Sequence, residues 1–252
     1  MRRHWKMAVL TGVIGLAALA AAQTKSFTNA PAKAPPLPVE MAHEPTAKRL
    51  IANGEVRAYR IDLAAGAETN IDRHEHDFLV ISLGENNFEF AGSGKVYAMS
   101  MSDGEVQVMK GHWAHRVVNK SGHELHLVEV EVMREIGPEH AICGLNAQAC
   151  YGAKFAAKDD MNYVESPLFE TSTLRLGRVE IAPGKGMPEH GHRVDHLMIA
   201  LNDQQVTNAV VTGDIKEITS HAGDAVWLEG GMVHRVINRG AQPARFLTLE
   251  CK

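Results

Sequence analysis

The residues of this chain best equipped for chemistry lie in Glu189–His196, EHGHRVDH, where His190, His192 and His196 occupy even positions. Side chains of a β-strand alternate between faces with a period of two, so these three imidazoles can point to one side. A fourth, His234, follows in GGMVHRVIN, after a glycine pair and among strand-forming Val and Ile. Imidazole is the commonest protein ligand for zinc, copper, iron and nickel. A strand presenting two or three imidazoles, joined by one from a neighbouring strand, can build a metal pocket inside a barrel. Histidines at alternate strand positions can also simply face water, so the wider spacing has to decide.

From Gly184 the chain runs through five residues to His190, one to His192 and three to His196. From Gly223 it runs through five residues to Glu229, one to Gly231, two to His234 and three to Asn238. This resembles the paired motifs of the cupin superfamily, G-x5-H-x-H-x3-E and G-x5-P-x-G-x2-H-x3-N. His196 stands where that family usually carries a ligand glutamate, and Glu229 replaces the proline. The resemblance implies a metal centre of His190, His192, His196 and His234, similar to the four-histidine manganese cupins. It also implies an all-β fold of tandem jelly-roll barrels.

Two copies of one unit must position these residues. VRAYRIDLAAG (Val56–Gly66) aligns without gaps on LRLGRVEIAPG (Leu174–Gly184), at an offset of 118 residues. DFLVISL (77–83) continues onto DHLMIAL (195–201), and after one inserted residue HRVVN (115–119) falls on HRVIN (234–238). Short Val/Ile/Leu runs broken by Gly, Asn and Asp indicate antiparallel strands. The expected organisation is a signal peptide over 1–22, a Pro/Ala-rich arm over 23–45 and an N-terminal barrel over 46–135. A connecting segment over 136–170 and a C-terminal barrel over 171–252 complete it.

The first copy has Asp72, His74, Phe78 and His115 where the second has its four histidines. Asp/His/His can hold iron, but Phe78 would occupy part of the pocket. Lys110 and His112 also replace the proline and glycine of the motif. The N-terminal barrel is therefore expected to be structural or ligand-binding, and His115→Ala to leave metal content nearly unchanged. His76, His112 and Trp113 are candidates for lining a polar cavity there. His123, His126 and His140 are expected at the surface.

Arg2, Arg3 and Lys6 precede an apolar run from Met7 to Ala20 and small residues at Ala20–Ala22, the pattern of a cleavable secretory signal. The expected location is periplasmic or secreted, with no membrane anchor after cleavage. The formal charge is −4, and a mildly acidic chain offers nothing for nucleic acid. In an oxidising compartment Cys143 and Cys150 could close a small loop and leave Cys251 over, but two other pairings are equally open.

An all-imidazole donor set favours a divalent transition metal, Mn or Fe first, with Cu, Ni or Zn compatible, over Mg or Ca. Six-coordinate Mn or Fe would keep places for a small-molecule substrate, whereas four-coordinate Zn would be closed. The reading that follows is a dioxygenase-like oxidoreductase acting on a small oxygen-bearing substrate. A non-catalytic metal- or small-ligand-binding bicupin is the alternative, and a metal-assisted isomerase, lyase or decarboxylase the third. Glu229 is the nearest carboxylate for acid–base catalysis, although a solvated turn residue is the commoner role for such a position. Homo-oligomer formation is compatible with all of these.

Overall fold

The computed structural model describes residues 38–136 and 163–252. The expected signal peptide, most of the arm, Cys143, Cys150, His140 and most of the expected connecting segment lie outside them. The described chain is all-β apart from a single 3-10 turn at Met41–His43.

The N-terminal barrel has two sheets. One runs in the order β2 (Ala47–Ala52), β3 (Val56–Leu63), β10 (Leu125–Val132), β5 (Phe78–Ser82), β8 (Val106–Met109). The other runs β1 (Val39–Glu40), β4 (Asp72–Arg73), β9 (Ala114–Asn119), β6 (Asn86–Gly92), β7 (Lys95–Met101). The C-terminal barrel repeats this with β11 (Tyr163–Glu170), β12 (Leu174–Ile181), β19 (Ala244–Cys251), β14 (His196–Ala200) and β17 (Ala225–Leu228). Its second sheet is β13 (His190–Gly191), β18 (Val233–Asn238), β15 (Gln204–Val210) and β16 (Ile215–Ser220).

The repeat read from sequence is a repeat of structure. The paired strands β5 and β14 are buried at every position. Asp72 faces His115 across β4–β9, as His190 faces His234 across β13–β18. This register supports the gapless alignment and places Asp72 at the position of His190. The extra residue of the second copy falls in a hairpin tip. Residues 92–95 lie between the pair Ala91↔Val96, whereas 210–214 lie between Ala209↔Ile215.

Two boundaries differ from expectation. Tyr163–Glu170, assigned by spacing to the connecting segment, is the edge strand β11 of the C-terminal barrel and pairs along β12. Its sequence, YVESPLFE, lacks clean alternation because a register shift at Pro167/Phe169 interrupts it. Within the expected arm, Val39–Glu40 pairs with β4, and Met41 is buried in the N-terminal core.

Each strand of the central sheets serves two cores. In β3, Tyr59, Ile61 and Leu63 point into their own barrel, while Val56 and Ala58 point at the other. Leu197, Ile199 and Leu201, which share one face by their alternate spacing, meet them from β14 and the residue beyond it, with Leu247 and Leu249 from β19. The contact has approximate two-fold character. Arg60 donates to the carbonyl of Ala222, and Arg178 to that of Gly104 at 2.5 Å. Burial on both faces explains near-continuous apolar runs in an antiparallel protein. Cys251 also lies in this shared core as a free thiol.

Leu197 is fully buried at the junction. Leu197→Ala is expected to lower unfolding free energy by about 2–5 kcal/mol, read as the shift of a urea midpoint. A shift under about 0.5 kcal/mol, the size of an ordinary surface substitution, would mean that the barrels do not share a load-carrying core.

Candidate metal centre

The short strand β13 delivers the first histidine, and the turn after it delivers the second. Gly231, with φ +81°, lets its N–H donate to the carbonyl of His192 at 2.7 Å. Gly230 must be glycine for another reason, because a Cβ there would sit 2.5 Å from the Val194 carbonyl carbon. The glycine pair thus presses the β17–β18 loop onto the histidine segment. Asn238, the last motif residue, is buried and donates to the carbonyls of Ile181 and Gln242, tying off the end of β18.

All four histidine rings line one cavity in the C-terminal barrel. Ligand atoms of His190, His192 and His234 lie within 4.8 Å of one another. His196 stands beside this trio, its ring stacked on His192 at 3.9 Å between centroids and 6.4 Å from His234. Three imidazoles are pinned through Nδ1: His190 by the carbonyl of Pro188 at 2.9 Å, His192 by Glu250 at 2.7 Å and His234 by Asn208 at 2.6 Å. That leaves Nε2 of each for the cavity, the arrangement that carboxylate–histidine–metal sites use. Nε2 of His234 and Nδ1 of His196 are buried without a hydrogen-bond partner. Buried ring nitrogens without a partner, on rings that line one cavity, suit a bound cation.

Burial lowers the pKa of His196 to about 4, reinforced by the charge of His192. Burial also lowers His234 to about 4, with His190 and His192 adding to the effect. Both rings are therefore neutral near pH 7, as metal ligation requires. The hydrogen bond from His192 holds Glu250 below the usual carboxylate range. Arg175 stands behind Glu250 at 3.9 Å.

The wall is apolar, with Met187, Met198, Leu228, Val236 and Phe246 around the imidazoles. About 40 Å³ is open to the centres of water molecules, where one water needs roughly 10–15 Å³. Only small groups fit beside an ion.

Glu229, the carboxylate expected to serve acid–base chemistry, is exposed in the loop before β18 and is not part of the cavity wall. It lies at a turn, where its carboxylate stays in water, and this corrects the expectation. Glu165 takes its place at the cavity. It comes from β11, the strand hidden in the expected connecting segment, and no motif marked it. Ala200 is buried but does not reach the cavity, whereas Met198 and Met187 do.

The N-terminal barrel has a matching cluster. Ligand atoms of Asp72, His74 and His115 lie within 4.8 Å of one another, and all three residues are buried. Glu131 holds Nδ1 of His74 at 3.2 Å with Arg57 behind it, repeating the roles of Glu250 and Arg175. Phe78 stacks on His74 at 3.9 Å and Trp113 on His115 at 4.4 Å. Trp113 borders an open groove with Tyr97, Lys95 and Lys110, while neither His76 nor His112 lines it. His112 is exposed at φ +63°, in the place of Gly231. Of the histidines expected at the surface, His123 is exposed and His126 is half-buried against Asp62 at 2.6 Å.

Residues 177–250 match the family model Cupin_2, Cupin domain. The C-terminal barrel is a cupin domain, and the two barrels together form a bicupin fold. Among solved structures, the chain is similar to the DEL162-163 mutant of Bacillus subtilis oxalate decarboxylase OxdC. The TM-score is 0.58 at 12% identity, over 79% of this chain and 69% of that one. It is similar to AerE from Microcystis aeruginosa at TM-score 0.56 and 13% identity, over 83% and 98% of the chains. A third is a structure of the Bacillus subtilis oxalate decarboxylase described for its Mn(II) centers, at TM-score 0.56 and 10% identity over 85% and 76%. Comparison with curated proteins gives no match. The fold and the histidine group together support a divalent metal.

Two outcomes test this geometry. In the metal-stripped protein the His196 and His234 ring protons should titrate near pH 4 by NMR. Because the unfolded rings titrate near 6.5, these two groups destabilise the fold progressively as pH falls from 6.5 to about 4, where the unfolded chain binds the extra protons. Midpoints near 6.5 would contradict the burial. Separately, Glu250→Ala should weaken divalent-metal binding about 10–100-fold by calorimetry, and an unchanged affinity would remove Glu250 from the site.

Proposed function

We propose that this chain is an exported, metal-dependent bicupin enzyme. Its C-terminal barrel would hold a divalent transition metal, Mn or Fe in preference, through His190, His192, His196 and His234. It would act there as a dioxygenase-like oxidoreductase on a small oxygen-bearing substrate. The observation that carries this reading is four imidazoles lining one small apolar cavity, three of them pinned through Nδ1 with ligand atoms within 4.8 Å of one another.

When bound, the metal supplies Lewis-acid and one-electron chemistry. The rest follows from the chain. The pinned rings hold their donors in a fixed direction, so little reorganisation is needed on binding. Met187, Met198, Leu228 and Phe246 keep bulk water out, and the restricted volume selects small substrates. With no carboxylate among the four histidines, the ion's charge is left uncompensated, which favours a substrate that coordinates as an anion. Export rests on the basic and apolar pattern of the first residues, and the proposed location is the periplasm or the exterior.

One observation favours a second reading, a metal-assisted lyase or decarboxylase. Glu165 borders the cavity and is exposed enough to exchange protons with water, as a general acid or base must. The structural neighbours that are oxalate decarboxylases agree with that reading at the level of fold.

Element analysis of the purified chain, with oxygen uptake and carbon dioxide release followed on a panel of small carboxylic acids, phenols and diketones, separates the readings. Oxygen consumed in proportion to product supports the oxidoreductase. Carbon dioxide released without net oxygen uptake, and lost by at least tenfold in Glu165→Gln, supports the decarboxylase. Stoichiometric zinc with neither activity would leave a binding protein. His234→Ala should abolish whichever activity is found and lower C-terminal metal occupancy.

A further inference from the structure

The N-terminal barrel buries a group of carboxylates and imidazoles whose facing atoms its own residues leave largely unpartnered. Asp72 is 1% exposed, His74 0%, His115 0% and Glu129 1%. Both oxygens of Asp72, both oxygens of Glu129, both nitrogens of His115 and Nε2 of His74 lack a hydrogen-bond partner. His74 Nε2 approaches Glu129 Oε2 to 3.0 Å as an ion pair. Nδ1 of His74 is already engaged by Glu131. One imidazole therefore stands among three buried carboxylates, and Arg57 reaches only Glu131. Buried charges without partners are strongly disfavoured. Without an ion the cluster keeps a carboxyl protonated, burial and the charge of Glu129 pushing Asp72 up to about 8, and a divalent cation could take that proton's place.

We propose that Asp72, His74, His115 and Glu129 form a second divalent-cation site, closed by aromatic rings and distinct in chemistry from the C-terminal centre. Asp72 Oδ1 lies 3.7 Å from His74 Nε2 and 3.9 Å from His115 Nε2. Donors bonded to one ion at about 2.0–2.2 Å lie roughly 3–4 Å apart. Three of the donor pairs, at 3.0, 3.7 and 3.9 Å, meet that condition. Glu131 and Arg57 orient His74 as Glu250 and Arg175 orient His192.

Glu129 is the unexpected member. Phe78 occupies the place of His196, so β5 contributes no ligand. The missing donor comes from β10, across the sheet, where Glu129 pairs with Val80. In the C-terminal barrel the same place, opposite Met198, is held by Thr248. Two carboxylates and two imidazoles balance a 2+ ion and suit a harder cation, Mn²⁺ or Fe²⁺, better than the all-imidazole set does. Phe78 and Trp113 cover the rings, so the ion would stabilise the barrel rather than meet substrate. This reverses the expectation that His115 is dispensable for metal content, and it does not rest on the activity proposed above.

The full chain, expressed with manganese supplementation and desalted, is assayed for total Mn, Fe, Co, Ni, Cu and Zn per chain. Wild type should carry about two ions and His190→Ala/His234→Ala about one. Adding Glu129→Thr, the residue of the other barrel, or Asp72→Asn to that double variant should bring the count near zero, with folding checked by circular dichroism. A folded double variant with no metal, or one whose ion survives both added substitutions, overturns the proposal. If instead the C-terminal reading fails, wild type and the double variant both hold one ion, and Glu129→Thr alone removes it. Should Asp72→Asn not fold, the double variant and Glu129→Thr still decide.

Discussion

Everything at the two centres depends on one backbone constraint: a two-residue strand paired antiparallel against the strand that carries the last histidine. The pairs His190↔His234 and Asp72↔His115 place donors from distant parts of the chain directly opposite one another. Opposed residues in an antiparallel pair sit about 4.5–5.5 Å apart, close enough for their side chains to share one ion. Because each strand is so short, its position is set by what surrounds it. The glycine-bearing loop anchors it through the Gly231 N–H, and in the first barrel the His112 N–H bonds to the carbonyl of His74 at 2.8 Å in the same way.

The interior decides what those donors can do. Both barrels repeat an arginine–carboxylate–histidine chain behind the motif, yet they differ in the residues that meet the cavity. The C-terminal barrel carries His196, Asn208 and Thr248 at places where the N-terminal barrel carries Phe78, Phe90 and Glu129. Together with Asp72 in the place of His190, these exchanges turn a hollow lined by imidazole and methionine into a filled interior with buried carboxylates. Duplication of one unit has thus given two environments with opposite charge balance on a common frame.

The shared core between the barrels is why the sequence looks as apolar as it does. β5 and β14 must satisfy an interior on one side and the other barrel on the other, so alternation disappears just where the motif residues enter. The same double burial made β10 informative in retrospect. In LHLVEVEV, Leu125 and Leu127 face one core and Val128, Val130 and Val132 the other. A glutamate on either face of such a strand has to be buried, and that was a readable sign of Glu129 that motif spacing passes over.

By itself the sequence determined the duplication, the β-class and the histidines of the C-terminal centre, because these are local patterns: strand periodicity, turn glycines and fixed motif intervals. It also placed Leu197, Ile199 and Leu201 on the face turned to the other barrel. It misassigned β11, whose bulge breaks the period, and it singled out Glu229 without reaching Glu165, because nearness along the chain says nothing about which carboxylate a fold turns towards a cavity. Tertiary structure alone decided the partners that β10 and β11 send across the barrels, and the degree to which each imidazole is cut off from water. Those depend on contacts between segments far apart in sequence, and no periodicity within a strand encodes them.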